Sequence, residues 1–357
     1  MERVNDPAKN SPTLMEKILH PPTFGTLCGL FSAFVYNMTN AFLRGVPECD
    51  PYWVSTIKAV PTTLFMAPWL VLLFLRGKRI FPGLTIWGLL VIGAFVGQVG
   101  GNVPFQWALG EIGIALTVPL TLGGMIVFGA ILGRIFLREP ITQRSLLSMG
   151  ILLLAVVVLA PGAHLAKHAM KNSRKTAADI AVHEAIESAE QETFSQQFWH
   201  FAPGVAAACF SGLAYAALNV FNRYCVGKGA PLPLALLTVS VVGIISLGGI
   251  SLSRLGLEGI SQTTSQQYLI MLAAGVCNAI AFVALTHSLQ LTSVVYVNAL
   301  NATQATMAAI TGILFFGEPL SPWLAIGVSL TIVGLVLLGN AKDHAPRPAE
   351  IPTVPVE

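Results

Sequence analysis

Polar side chains recur at four-residue intervals in two apolar segments of the chain. This spacing places them along one face of a helix. The two sets are Ser32, Tyr36, Asn40 and Arg44 in the first segment, and Ser211, Tyr215, Asn219 and Arg223 in the second. Hydroxyl and amide groups arranged in this way either bind a polar solute in a cavity or hydrogen-bond one helix to another. Their recurrence in both segments favours a cavity.

A third segment carries amides at the same spacing, among glycines and next to Pro104. These amides suit either contact with a solute or pairing with carbonyl groups that the proline leaves free. Lys58 is charged and lies well within an apolar segment. It either extends its stem to the membrane surface or faces the interior, where it would attract a carboxylate. The candidate solute-binding residues are Lys58, Tyr36, Asn40, Tyr215, Asn219, Gln98, Asn102 and Gln106.

Other polar residues are expected to have structural roles. Glu111, Glu139 and Glu318 all fall at the ends of apolar segments, so a proton carrier within the membrane has no support. The two Glu-Pro pairs, Glu139-Pro140 and Glu318-Pro319, suit the starts of helices. The weaker polar sets are interpreted as packing residues, namely Thr117, Thr121, Asn298, Asn301 and Gln304.

The distribution of charge predicts the elements that carry these side chains. Charged residues make up 10% of the 357 residues, against about 25% in an average soluble domain, and mean hydropathy is +0.70. Charge-free stretches predict ten membrane helices, each of about 20 residues. They are Phe24–Leu43, Trp53–Leu75, Leu84–Ala108, Ile112–Phe136, Ser145–His164, Pro203–Asn222, Leu232–Ser253, Gln267–Leu289, Val294–Phe316 and Trp323–Asn340. The predicted fold class is therefore an all-α polytopic membrane protein.

Basic residues predict the orientation. With the N-terminus in the cytoplasm, 13 Lys and Arg residues lie inside and 3 lie in short outer loops. The protein is therefore predicted to span the inner membrane with both termini in the cytoplasm. No cofactor, metal or nucleic-acid partner is predicted, because no His/Cys cluster has metal-ligand spacing and the formal charge is only +3. The expected partners are a small-molecule substrate and the lipid bilayer.

The chain contains an internal repeat. Residues 31–44 and 210–223 agree at six of fourteen positions without a gap, at an offset of 179 residues. The same offset maps Glu139-Pro140 onto Glu318-Pro319. Five helices per unit is an odd number, so the second unit crosses the membrane in the opposite sense, which predicts two inverted five-helix repeats.

These features resemble the drug/metabolite transporter superfamily, specifically its ten-helix EamA-type branch. The resemblance lies in the five-plus-five arrangement and in the acidic turn before the last helix of each half. It implies a substrate cavity between the halves, alternating access and, by analogy, export. Arg138 departs from the family, which prefers glycine there, and the charged linker is longer than the family's.

The predicted organisation has five parts. They are a cytoplasmic segment (1–23), the first EamA-like repeat (24–164), a charged linker (165–202), the second repeat (203–340) and a cytoplasmic tail (341–357). The predicted function is secondary transport of a small organic metabolite or drug-like solute. The alternatives are an intramembrane enzyme, for which no acid-base cluster lies inside the predicted helices, and a non-transporting sensor or structural protein.

The orientation can be tested by labelling single cysteines with a membrane-impermeant thiol reagent. In a cysteine-free background, a cysteine at position 78 should be protected in intact cells and should react after permeabilisation. A cysteine in the predicted outer loop at position 48 is the matched control and should react in intact cells. Labelling of position 78 from outside would contradict the predicted topology.

Overall fold

The regular structure that can be described is entirely helical. The computed structural model describes residues 21–112, 114–139, 141–144, 146–155, 158, 194–316 and 322–338, and these ranges contain no strand. The first group of helices is α1 (Pro21–Leu43), α2 (Pro51–Leu75), α3 (Leu84–Phe95), α4 (Val103–Ile112), α5 (Ile114–Phe136) and α6 (Leu146–Ala155). The second is α7 (Phe194–Gly227), α8 (Leu232–Ser261), α9 (Ser265–Leu291), α10 (Val294–Asn301), α11 (Thr303–Phe316) and α12 (Pro322–Leu338).

Helices occur at every predicted position within the described residues, and six of them are long and apolar enough to cross a membrane. These six are Pro51–Leu75, Leu84–Ile112, Thr117–Phe136, Ala202–Gly227, Leu232–Ser261 and Ser265–Leu291. The all-helical class is therefore confirmed, whereas the presence of ten membrane-spanning helices stays a prediction. The predictions made for residues 1–20, most of the linker, Glu318 and the tail concern residues that lie outside the described ranges.

Several predicted helices differ in detail from the structure; for example, the helix predicted over Pro203–Asn222 extends from Phe194 to Gly227. The predicted Val294–Phe316 helix is divided at Ala302 into α10 and α11. Helix α8 continues past the predicted end at Ser253 to Ser261, with an interruption at Gly256, where φ is 63°. Arg138 also has a positive φ of 52°, a conformation that suits glycine and explains why glycine would be favoured at this turn.

The third predicted helix is not a regular α-helix. A π-helix from Val96 to Asn102 joins α3 to α4. Pro104 is the second residue after this segment, and a proline within a helix lacks the N–H that would bond to the fourth preceding carbonyl. Wider helical turns of this kind are rare and frequently lie at functional sites. Here the π-helix carries both Gln98 and Asn102.

The most extensive helix pairs join the two halves of the chain. Helix α1 packs along α9, α5 packs along α7, and α2 packs along α8. The π-helix also lies against α7, where an added Cβ at Gly101 would come 2.7 Å from Cε1 of Tyr215. Only glycine therefore permits this approach of the two backbones. The core clusters combine residues of both halves, as in the group containing Leu43, Leu122 and Met271.

A buried ion pair closes one end of the bundle. Oε1 of Glu139 lies 2.9 Å from Nε of Arg223, and the two side chains are 7% and 12% exposed. The N–H of Val294 donates to both carboxylate oxygens, at 3.2 and 3.1 Å. Arg223 Nη1 also donates to the carbonyl of Leu289 at 2.6 Å. Glu139 therefore has a structural role, but it caps α10 rather than the helix that follows it in sequence.

Removing this carboxylate should destabilise the fold. Glu139→Ala leaves the guanidinium of Arg223 without its ion-pair partner and the N–H of Val294 without an acceptor. We expect a loss of about 3 kcal/mol, because breaking a buried pair leaves an uncompensated charge. Thermal unfolding of the detergent-purified protein measures it. Glu111→Ala, at an exposed glutamate, is the control, and equal melting temperatures for the two variants would contradict the structural role of Glu139.

Candidate functional site

A cavity of about 130 Å³ lies between the two halves of the chain. Its walls come from α1, α2, the π-helix, α4 and α5 of the first half and from α7, α8, α9 and α11 of the second, together with Asn301 at the end of α10. Hydroxyl and amide groups lie beside aromatic and aliphatic side chains. Such a mixture of apolar walls and a few polar groups is typical of small-molecule sites.

Seven of the eight candidate residues line this cavity. They are Tyr36, Asn40, Lys58, Gln98, Asn102, Tyr215 and Asn219. The four-residue spacing in α1 and α7 therefore brings side chains from both halves to one space. The structure does not place any of the seven on an outer, lipid-facing surface. Their role in binding a solute stays a prediction.

Gln106 is the exception, because it does not line the cavity. Phe105 is the lining residue that α4 contributes, while the side chain of Gln106 is 4% exposed and buried among packed helices. Nε2 of Gln106 has no hydrogen-bond partner among the described residues. The assignment of Gln106 to the binding site stays a prediction, and the structure places it outside the cavity lining.

Lys58 faces the interior and does not extend to the membrane surface. The residue is 7% exposed, and Nζ donates a hydrogen bond of 2.7 Å to Oδ1 of Asn102. Within the described part of the chain, the ammonium group has no carboxylate partner, and none of the lining residues is Asp or Glu. An ammonium group in a poorly hydrated site attracts anions. The cavity can therefore accept a negatively charged group at Lys58.

Amide groups organise the wall around Lys58. Asn102 Nδ2 donates to Oε1 of Gln98, and Gln98 Nε2 donates to the carbonyl of Val239 at 3.0 Å. The hydroxyl of Tyr215 donates to Oδ1 of Asn102 at 2.7 Å. This chain of hydrogen bonds connects α2, the π-helix, α7 and α8, so it links the two halves directly.

The two polar sets of α1 and α7, called the polar stripes from here on, are used partly for packing and partly face the cavity. Asn219 donates to Asn298 at 3.1 Å, and Asn298 donates to the carbonyl of Met125 at 3.0 Å. Ser32 donates to the carbonyl of Ala281 at 2.9 Å. Tyr36 and Asn40, by contrast, have no hydrogen-bond partner among the described residues. Their polar groups are free to contact a solute.

Several residues that were not among the eight candidates also line the cavity. Thr121, Asn301 and Gln304, interpreted as packing residues, also line the cavity; the further additions include Thr39, Ser55, Thr62, Ser240 and Asn278. Ser55 and Thr62 lie three residues before and four after Lys58, so they share its helix face. Their spacing from Lys58 could therefore have identified both residues from the sequence. Single polar residues such as Asn278 carry no comparable pattern.

The described ranges hold no group of three or more His, Cys, Asp or Glu side chains arranged for a metal ion. The chemistry available in the cavity is therefore hydrogen bonding, apolar contact and the single positive charge of Lys58.

Comparison with known proteins supports the family resemblance for the second half. Residues 202–340, which are less than half of the chain, match the EamA-like transporter family. The resemblance to the drug/metabolite transporter superfamily is confirmed over these residues. The second half of this membrane protein thus has the sequence features of a transporter family.

The fold also matches a solved structure. One crystal structure superposes with a TM-score of 0.62 over 88% of this chain and 96% of the other, at 13% sequence identity. At this identity the likeness concerns the fold alone. No curated protein matches the sequence.

The placement of the cavity predicts which positions water-soluble reagents can reach. In a cysteine-free background, Asn40→Cys and Asn219→Cys should react with a charged methanethiosulfonate reagent, because their side chains line the cavity, which the proposed function opens to water. Phe34→Cys and Phe210→Cys are matched controls on the same two helices. These phenylalanines are 50% and 54% exposed on the outside of the bundle, where lipid should prevent formation of the reactive thiolate. Equal reactivity on both faces would contradict the cavity.

Proposed function

We propose that the protein is a secondary transporter that moves a small organic solute across the membrane by alternating access. The observation that carries this proposal is the cavity between the halves, which contains Lys58 and side chains from both polar stripes. Binding sites of transporters with inverted repeats lie near the midplane, where the repeats meet. The family match of residues 202–340 supports the same class of protein.

The proposal includes ten membrane helices arranged as two inverted five-helix repeats. Reciprocal packing supports the repeat: α1 packs along α9, and α7, which follows α1 by 179 residues, packs along the π-helix and α4. Two units that cross the membrane in opposite senses can exchange conformations by rocking around a shared site. The linker of residues 165–202 connects the units in sequence.

The direction of transport and the membrane are also part of the proposal. Export of the solute through the inner membrane is proposed by analogy with the family. The excess of Lys and Arg in the predicted inner loops supports cytoplasmic termini. Tyr36, Asn40, Lys58, Gln98, Asn102, Tyr215 and Asn219 are the proposed substrate-binding residues that line the cavity; Gln106 stays a candidate outside its lining.

A flux experiment tests the proposed class of protein. The purified full-length chain is reconstituted into vesicles and assayed with a panel of labelled metabolites that includes anions, neutral solutes and cations. Saturable, protein-dependent flux and exchange of one solute for its own unlabelled form are expected. Chemical conversion of a solute without flux would instead indicate an intramembrane enzyme. Absence of both would favour a sensor or structural protein.

Lys58 should be required for this flux. Lys58→Ala removes the positive charge, and we expect transport to fall by far more than tenfold, because a desolvated ionic contact typically contributes a few kcal/mol. Lys58→Arg keeps the charge and should retain part of the activity. Lys228→Ala, at an exposed lysine, is the control for expression and reconstitution. Normal flux through a well-expressed Lys58→Ala variant would contradict the proposed role.

A further inference from the structure

Two hydrogen-bond donors from opposite halves of the chain converge on one oxygen atom in the cavity. Nζ of Lys58 and the hydroxyl oxygen of Tyr215 each lie 2.7 Å from Oδ1 of Asn102. Both groups donate, so the position they surround is an acceptor position. The acceptor there is a neutral amide oxygen. A carboxylate oxygen would form shorter, charge-assisted and therefore stronger bonds with the same donors.

We propose that Lys58 and Tyr215 form a binding site for the carboxylate of a small monocarboxylate solute, and that the side chain of Asn102 occupies this site when the solute is absent. The inference deepens the proposed transport function by naming the chemical class of the solute. Asn102, placed among the substrate-binding residues because it lines the cavity, then acts by competing with the solute for the same donors rather than by holding it.

The surroundings of the two donors define a solute with one negative charge and an apolar body. Lys58 is the single cationic side chain among the described lining residues, so a second negative charge would be left unpaired. The rings of Tyr36, Phe105, Tyr215 and Phe282 line the remaining space. A cavity of about 130 Å³ is similar in size to an engineered cavity of about 150 Å³ that binds benzene. A six-membered ring therefore suits it.

The competition by Asn102 has a consequence for release. A bare ammonium group in the empty cavity would have a high desolvation penalty and would hold a carboxylate tightly. The amide of Asn102 satisfies the ammonium in the empty state and is itself anchored through Gln98 to the carbonyl of Val239. A transporter must release its solute, and an internal competitor lowers the apparent affinity without removing the charge that recognises it.

Equilibrium binding to the detergent-purified full-length protein tests the inference without requiring flux. The probes are radiolabelled benzoate and acetate, and the neutral comparisons are benzamide and acetamide, each measured by scintillation proximity. We expect saturable binding of the carboxylates and binding of the amides that is weaker by more than tenfold but still measurable at high concentration. Asn102→Ala should bind benzoate about tenfold more tightly, because the competing amide is gone. Asn102→Asp places a carboxylate permanently against Lys58 and should abolish benzoate binding.

Two further variants test the donors. Lys58→Met should weaken benzoate binding more than tenfold and remove the preference for the acid over the amide. Tyr215→Phe should weaken it several-fold while keeping that preference. Tyr296→Phe is the matched control, because its hydroxyl is hydrogen-bonded to Thr26 at 3.1 Å and does not line the cavity. It should bind benzoate as the unmodified protein does.

The outcomes separate this inference from the proposed transport function. Weaker benzoate binding by Asn102→Ala would overturn the competition by Asn102, since a purely supporting amide would have that effect. Absence of carboxylate binding in both the unmodified protein and Asn102→Ala would overturn the monocarboxylate site, even if vesicles transport a neutral solute or a cation. Binding with the expected dependence on Lys58, in a protein that transports nothing, would leave the site standing and refute transport.

Discussion

The rest of the site depends on the hydrogen bond between the ammonium group of Lys58 and Asn102. Lys58 is buried among helices, several of which are long and apolar enough to cross a membrane. A charge in such surroundings requires polar partners, because burial removes it from bulk water. The structure supplies an amide rather than a carboxylate at 2.7 Å. A carboxylate partner would have neutralised the charge permanently. With an amide partner, the positive charge remains available to a solute.

Close packing of the halves is what brings the partners of Lys58 together. Lys58 and Asn102 belong to the first half, and Tyr215 belongs to the second. Their meeting requires the π-helix to approach α7 at Gly101, where a larger side chain would collide with Tyr215. At the end of the bundle, Glu139 and Arg223 form a second polar contact between the halves. Any movement that separates the halves must change both contacts.

Much of this arrangement could be predicted from the sequence, because apolar length and four-residue spacing are local properties. Charge-free stretches predicted helices at the correct positions, and the polar stripes predicted Tyr36 and Tyr215 on the cavity. The position of Gln106 could not be predicted, since the four-residue spacing assumed a regular α-helix and the π-helix from Val96 to Asn102 interrupts it. The partner of Glu139 could not be predicted either. Val294 and Arg223 are distant in sequence, and no pattern links them to this glutamate.

The most direct measurement is the coupling between the charge of Lys58 and the charge of the solute. Binding of benzoate and benzamide to the unmodified protein and to Lys58→Met forms a four-membered cycle. If the ammonium group recognises the carboxylate, removal of either charge should weaken binding, and removal of both should cost little more than removal of one. Strictly additive losses would contradict direct recognition and would return Lys58 to a structural role.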